Sequence, residues 1–159
     1  WEELQDFNCC QKTWEDSPYG REKDFYGTSN NNRNAMTTDG TARIMEEIMQ
    51  NIIFNEKNIN LKNCLFRQIK EQSQDKDANN QINGFLGEGL PQNIPFWSKA
   101  GLMSEARNDA AWWINRNQSK TLLVVFTEGK EFANDNNFLP EFSKAIYEFI
   151  HSEKLINLP

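Results

Sequence analysis

The first half of the chain carries its apolar residues at helical spacing. Thr37, Thr38 and Asp39 form a typical helix start, where a hydroxyl caps free N–H groups and a carboxylate meets the positive end of the helix. The apolar residues that follow recur every three or four positions: Ala42, Met45, Ile48, Met49, Ile52 and Ile53. This pattern predicts a helix with one buried face over residues 39–54.

Weaker patterns flank this helix. Residues 24–34 are polar and rich in asparagine, which predicts a loop. A second helix is predicted over residues 61–72, with Cys64, Leu65 and Ile69 facing inward. Residues 75–89 are polar and contain glycine, so we expect a long surface connection there.

The second half changes to β-forming residues that alternate with period two. Three antiparallel strands are predicted over residues 96–101, 108–115 and 121–127, and Trp112 and Trp113 should face opposite sides of the second one. A last helix follows, with one apolar face made by Phe138, Phe142, Ile146, Phe149 and Ile150. We therefore predict an α+β fold, in which an antiparallel sheet is covered by a C-terminal helix and preceded by a helical part. We expect one partial domain over residues 1–159, divided into a helical part over 1–94 and the strands and last helix over 95–159.

Composition excludes several partners. The net charge of −6 and the pI near 4.9 argue against nucleic acid and against an anionic membrane surface, because both require a basic face. No apolar stretch reaches the roughly 20 residues that cross a bilayer. Three cysteines without a CxxC pair and one histidine, His151, predict no metal site, and no cofactor is expected. The chain begins at Trp1, so we expect a processed or truncated product.

The candidate chemistry lies at the end of the first predicted strand. Lys99, Ala100 and Gly101 place a positive charge and a residue without a side chain at a strand edge, which suggests a site for an anionic ligand. The alternative is a lysine that only blunts sheet-to-sheet pairing. Arg107 opens the next strand and either clamps a carboxylate or is a solvated strand residue. Asn108 and Asp109 either support the site or form a turn.

Three stretches, taken in order, resemble the later part of the penicillin-recognising serine hydrolases, the class A β-lactamases and DD-peptidases. RNAMTTDGTARIM (33–45) is similar to the exit from that family's omega loop and the helix after it. INGFLGEGLPQNIPFWSKAG (82–101) is similar to the approach to its Lys-Thr-Gly strand, and RNDAAWW (107–113) to the next strand.

The resemblance implies roles for individual residues. Lys99 and Gly101 stand at the lysine and glycine of Lys-Thr-Gly, with Lys99 in a catalytic role, and the N–H of Leu102 is implied as an oxyanion donor. Ala100 replaces the usual hydroxyl residue, at a cost in substrate binding of about 1 kcal/mol. Arg107 is implied as a clamp on the substrate carboxylate. Glu22 is the nearest candidate for the glutamate that deacylates the enzyme.

The sequence departs from the family pattern in the motifs that carry the nucleophile. In the family an S-x-x-K motif opens a helix before the omega loop, and an S-D-N motif follows it. Ser73-Gln74-Asp75-Lys76 matches only as a string, and Ser29-Asn30-Asn31 falls inside the loop. We therefore expect the serine in an N-terminal segment absent from this chain, or in a separate chain. The parent would act on a small-molecule β-lactam or a peptidoglycan peptide in the periplasm or after secretion. The alternative is a non-catalytic binding or scaffold protein.

Overall fold

The computed structural model describes residues 36–50, 59–75 and 80–156. All of these but Met36 belong to one compact unit, Thr37–Pro159. In chain order its elements are α1 (Thr38–Gln50), α2 (Ile59–Leu65), β1 (Phe66–Arg67), α3 (Ile69–Gln72), a 3₁₀ helix (Leu86–Gly89), β2 (Phe96–Met103), β3 (Ala106–Ile114), β4 (Lys120–Val125), α4 (Lys130–Asn134) and α5 (Phe138–Ile156).

The four strands form one antiparallel sheet in the order β1-β2-β3-β4. The predicted α+β class, the three long strands and the C-terminal helix are confirmed. The strand β1 was not predicted. It interrupts the helix expected over residues 61–72, because Phe66 and Arg67 pair with Trp97 and Phe96 and cannot keep helical hydrogen bonds.

The helix starts follow the local sequence. The Thr37 hydroxyl accepts from the N–H of Gly40 at 3.0 Å, which caps α1 as predicted. The Asp135 carboxylate accepts from the N–H groups of Asn137 and Phe138 at 2.8 and 3.2 Å and caps α5. The end predicted for α1 at residue 54 lies outside the described residues.

One face of the sheet is covered by α5 and the 3₁₀ helix and carries the main core. Its buried members are Ile69, Ile82, Phe85, Leu86, Leu90, Ile94, Phe96, Ala100, Ala111, Trp113 and Leu139. We call this the α5 face. The prediction of a surface connection over residues 75–89 is wrong for its last part, because Ile82, Phe85 and Leu86 are buried in this core.

The opposite face is covered by α1 and carries a smaller core. Met45 of α1 packs there with Ala110 and Trp112 of β3. We call this the α1 face. Trp112 and Trp113 take opposite faces of β3, as predicted, and both are buried.

Candidate functional site

The outer edge of β2 forms the candidate site. In the part of the chain that the structure describes, β1 pairs with β2 only at Trp97 and Phe96. The N–H of Ala100 points away from β3, since it donates to the side-chain Oε1 of Gln81 at 3.3 Å. Alternate residues of an antiparallel strand direct their N–H groups to the same side. The N–H of Leu102 therefore points to the same outer edge.

Lys99 brings a positive charge to this edge. Its side chain is exposed, and its ammonium donates a hydrogen bond to the carbonyl oxygen of the next residue, Ala100. The carbonyl of Ala100 lies on the outer edge together with the N–H of Leu102, because both residues share one strand orientation. An ammonium and a backbone donor at one edge favour an anion or an oxygen that becomes negative during a reaction.

Gly101 leaves the strand accessible. A Cβ built at this position meets none of the described atoms within 4 Å. The residue lies on the α1 face next to Asn108 of β3, whose Oδ1 accepts from the N–H of Thr127 at 2.8 Å. A ligand can therefore approach the backbone of β2 closely at Gly101.

Ala100 is placed differently from the sequence prediction. Its side chain is 6% exposed and packs in the core of the α5 face, opposite to Lys99. The substrate-binding role predicted for Ala100 is therefore limited to its backbone.

Arg107 requires a correction. Its side chain is buried, and its guanidinium donates to the carbonyl oxygens of Ala133 and Gly84 and to Oδ1 of Asn136 at 2.6 to 3.2 Å. The guanidinium carbon also lies 5.2 Å from the centre of the Phe85 ring. These contacts occupy the guanidinium inside the chain, so the alternative of a solvated strand residue is wrong, and the carboxylate clamp stays a prediction. The side chain of Arg107 ties β3 to the segments before and after it.

Asn108 and Asp109 lie within β3, so the turn interpretation is wrong for both. Asp109 is 1% exposed on the α5 face, where its Oδ2 accepts from the N–H of Leu86 at 3.1 Å. Burial raises the pKa of Asp109 to about 7, although the N–H groups of Leu86 and Ala110 and the charges of Lys99 and Arg67 act in the opposite direction. Sequence reasoning missed this buried carboxyl, because the strand register that places it was not available from the residues.

Two other predictions concern Glu22 and the string that begins at Ser73. Glu22 lies outside the described residues. Ser73 stands at the C-terminal end of α3, and its hydroxyl donates to the carbonyl of Lys70 at 3.1 Å. It does not open a helix, so the string Ser73 to Lys76 lacks the structural context of a nucleophile motif.

Two further absences hold for the described residues. They contain no group of three or more His, Cys, Asp or Glu side chains that could hold a metal ion. None of the helices described over residues 36–50, 59–75 and 80–156 combines the length and apolar character needed to cross a membrane.

With this geometry established, comparison with known proteins identifies the class. The sequence model of the beta-lactamase enzyme family matches residues 4–150. The chain therefore belongs to the beta-lactamase enzyme family, and its four-stranded antiparallel sheet with a C-terminal helix is consistent with that fold. No curated protein matches the chain.

Proposed function

We propose that the chain is the C-terminal part of a serine hydrolase that transfers the acyl group of a β-lactam or a D-Ala-D-Ala peptide to a serine. The serine would come from polypeptide N-terminal to this chain or from a separate chain. The observation that carries the proposal is the arrangement at the outer edge of β2, where the ammonium of Lys99 and the N–H of Leu102 share one side and Gly101 leaves space.

Each group has a distinct role in this reaction. The attacked carbonyl oxygen becomes negative, and the N–H of Leu102 is positioned to donate to it without reorganisation. The charge of Lys99 attracts the substrate carboxylate and favours proton transfer around the serine. The backbone at Gly101 lets the substrate lie against β2 as an added strand. Arg107 has no part in this scheme.

The fate of the acyl group separates two kinds of parent. A hydrolase with a competent base in its omega loop, for which Glu22 is the candidate, releases the acyl group rapidly and acts as a lactamase. A parent without that base keeps the acyl group and acts as a penicillin-binding peptidase. Either activity suits a periplasmic or secreted protein, which is the location we propose.

The test uses the full-length protein and two reagents. A fluorescent penicillin reports acylation, and a chromogenic β-lactam reports complete turnover. We expect Lys99→Met to slow acylation by about 100-fold or more, the loss typical of removing one electrostatic stabiliser. Lys120→Met is the matched control, because Lys120 is an exposed lysine at the start of β4. Equal acylation rates in both variants would contradict the assignment of Lys99.

A second function is favoured by the residue at position 100. Ala100 lacks the hydroxyl that the family uses, and its side chain is committed to the core. A protein that keeps the fold and binds ligands without acylation is consistent with this. Intact mass after incubation of the full-length protein with penicillin distinguishes the two, since an acylated serine adds the mass of the drug and reversible binding adds none.

A further inference from the structure

A group of buried polar atoms lies under β2, on the α5 face. Five buried side-chain atoms of the described residues have no hydrogen-bond partner, and three of them belong to neighbouring strands: Nε of Arg67, Oγ of Ser98 and Oδ1 of Asp109. The other two are Oε1 of Gln72 and Nε2 of His151. Buried polar groups without partners are rare, because losing water without a replacement bond is costly. Three such atoms on neighbouring strands therefore require a common explanation.

The strand register brings these residues together. Asp109 is opposite Ala100, and Ser98 is opposite Ala111, so Ser98 and Asp109 are diagonal neighbours on one face. Arg67 is opposite Phe96 and diagonal to Ser98 from the other side. The charge of Arg67 also acts on Asp109, which shows that the two groups are within electrostatic reach.

The same group of residues holds the outer edge of β2. Nη2 of Arg67 donates to Oε1 of Gln81 at 3.1 Å, and that oxygen also accepts from the N–H of Ala100 at 3.3 Å. Asp109 is bonded to Leu86, whose carbonyl accepts from the Ser143 hydroxyl of α5 at 2.7 Å. A change in Arg67 therefore reaches the backbone at Ala100 through Gln81, whereas the bonds of Asp109 lead through Leu86 to α5.

We propose that Arg67, Ser98 and Asp109 enclose an internal water site under β2, and that Asp109 acts through it as a positioning residue for the outer edge of β2. The three free atoms are a donor, a hydroxyl that both donates and accepts, and an acceptor, which is the set that a water molecule needs. Arg67 disfavours a cation at this site, and Asp109 disfavours an anion once its carboxyl is ionised.

The inference goes beyond the proposed function and does not depend on it, since it concerns how the chain holds its own strand. Where the proposed function is right, the edge that Asp109 positions is the edge that binds substrate. A full-length protein that penicillin does not acylate would therefore not count against the water site. A chain without the internal water would not count against the proposed acylation.

The water site has a pH dependence that follows from the groups around Asp109. Arg67 of β1 and Lys99 of β2 bring positive charge, whereas β4 places the apolar Val125 opposite Asp109. On β3 itself, the guanidinium of Arg107 is bonded to Gly84 and Ala133. The 3₁₀ helix contributes the N–H of Leu86 and the carboxylate of Glu88, which accepts from the N–H of Gly84 at 2.5 Å. The helix α5 contributes the neutral Ser143, and its Tyr147 packs against the same core with its ring stacked on His151.

The direction of the pH effect follows from the raised pKa. The pKa of Asp109 is about 7 in the folded chain against an ordinary value of 3.8, so the folded chain holds this proton more tightly. The contribution of Asp109 to stability is therefore fully present below the ordinary pKa and is lost as the pH rises to about 7. Ionisation of Asp109 also changes which hydrogen bonds the internal water accepts and donates.

The experiment measures amide hydrogen exchange of the chain between about pH 5 and about pH 8, the window in which Asp109 ionises. We expect the protection factor of the Ala100 amide to fall about tenfold more than that of the Trp112 amide, which lies opposite Trp97 in the same sheet; tenfold is the factor equivalent to one unit of pKa. Asp109→Asn should remove this difference. Glu148→Gln, which changes an exposed carboxylate of α5, should retain it.

A second measurement tests the water directly. Magnetisation transfer from long-lived water to the amides of Ala100 and Leu86 should be seen in the unchanged chain and lost in Ser98→Ala, which removes one partner of the water. Absence of such transfer in the unchanged chain would overturn the water site. The positioning role would be overturned if the unchanged chain showed no difference between the Ala100 and Trp112 amides, or if the difference persisted in Asp109→Asn.

Discussion

The two faces of the sheet are built from alternate residues of the same strands, yet they are covered to very different extents. On the α5 face, β2 buries Phe96, Ser98 and Ala100 under the 3₁₀ helix and α5. On the α1 face, the same strand presents Trp97, Lys99 and Gly101, of which Trp97 is half-buried and the other two are exposed. The helix α1 contacts β3 and β4, and Leu65 of α2 and Trp97 pack against the core of this face, whereas Lys99 and Gly101 stay exposed.

Along β2, residues that stabilise the fold therefore alternate with residues that a ligand can reach. A residue packed on the α5 face contributes to the core, whatever role the resemblance implies for it, as Ala100 shows. A residue on the α1 face or on the outer edge remains accessible to a ligand, as Lys99 and Gly101 show. Substitutions of similar residues should therefore have different effects at buried and at exposed positions, and three matched pairs test this.

The largest effect is expected for neighbouring aromatic residues of β2. Phe96→Ala removes a ring that is fully buried in the core of the α5 face, and we expect it to lower the free energy of unfolding by about 3–5 kcal/mol. Trp97→Ala removes a half-buried ring on the α1 face, and we expect a loss of about 1–2 kcal/mol. Denaturant unfolding of both variants gives the comparison. Equal losses would show that the two faces are equally packed.

The second pair consists of two glycines. A Cβ at Gly89 would lie 1.9 Å from the carbonyl oxygen of Pro140, so the 3₁₀ helix would have to move away from α5. We expect Gly89→Ala to destabilise the fold by about 2–3 kcal/mol, the cost of overpacking. Gly101→Ala meets open space and should change stability by less than about 0.5 kcal/mol. Thermal unfolding measures both, and a large loss at Gly101 would contradict the open edge.

The third pair consists of two arginines. Arg107→Met leaves the carbonyls of Gly84 and Ala133 without their donor, and we expect a loss of about 2 kcal/mol. Arg116→Met changes an exposed arginine after β3 and should stay within about 0.5 kcal/mol. The same variants of the full-length protein show whether Arg107 also binds substrate. An Arg107→Met protein that folds normally but loses affinity for penicillin would support the role of Arg107 as a clamp on the substrate carboxylate, which the resemblance implies.

The elements were predictable where one local pattern was strong. The period-two strands were found, because alternation directly reflects burial on one face. Helical spacing located α5 but not its packed face, since Leu139 and Ser143 are buried whereas Phe142 and Phe149 of the predicted apolar face are exposed. The strand β1 and the buried residues of the 75–89 segment were not found. Two residues are too short to show a period. Ile82, Phe85 and Leu86 do stand at i, i+3 and i+4, but the polar residues and glycines around them predicted a loop instead.

The candidate site was predictable in part for the same reason. The exposed positions of Lys99 and Gly101 on β2 agree with the short motif that follows an apolar strand, and their roles stay predictions. The burial of Arg107 and Ala100 was not predicted, since it depends on Ala133, Asn136 and the core of the α5 face, which lie far along the chain. The buried group of Arg67, Ser98 and Asp109 had no sequence signal, because its members meet only through strand pairing.

The sequence by itself determined the α+β class, the long strands, the closing helix and the lysine and glycine at the end of β2. These features depend on neighbours within a few residues, where spacing alone decides which side chains share a face. Only the tertiary structure decided which face of β2 is sealed, that the guanidinium of Arg107 is enclosed, and that the carboxyl of Asp109 is buried. Those outcomes depend on contacts between distant segments, and no local pattern encodes which distant groups will exclude water from a side chain.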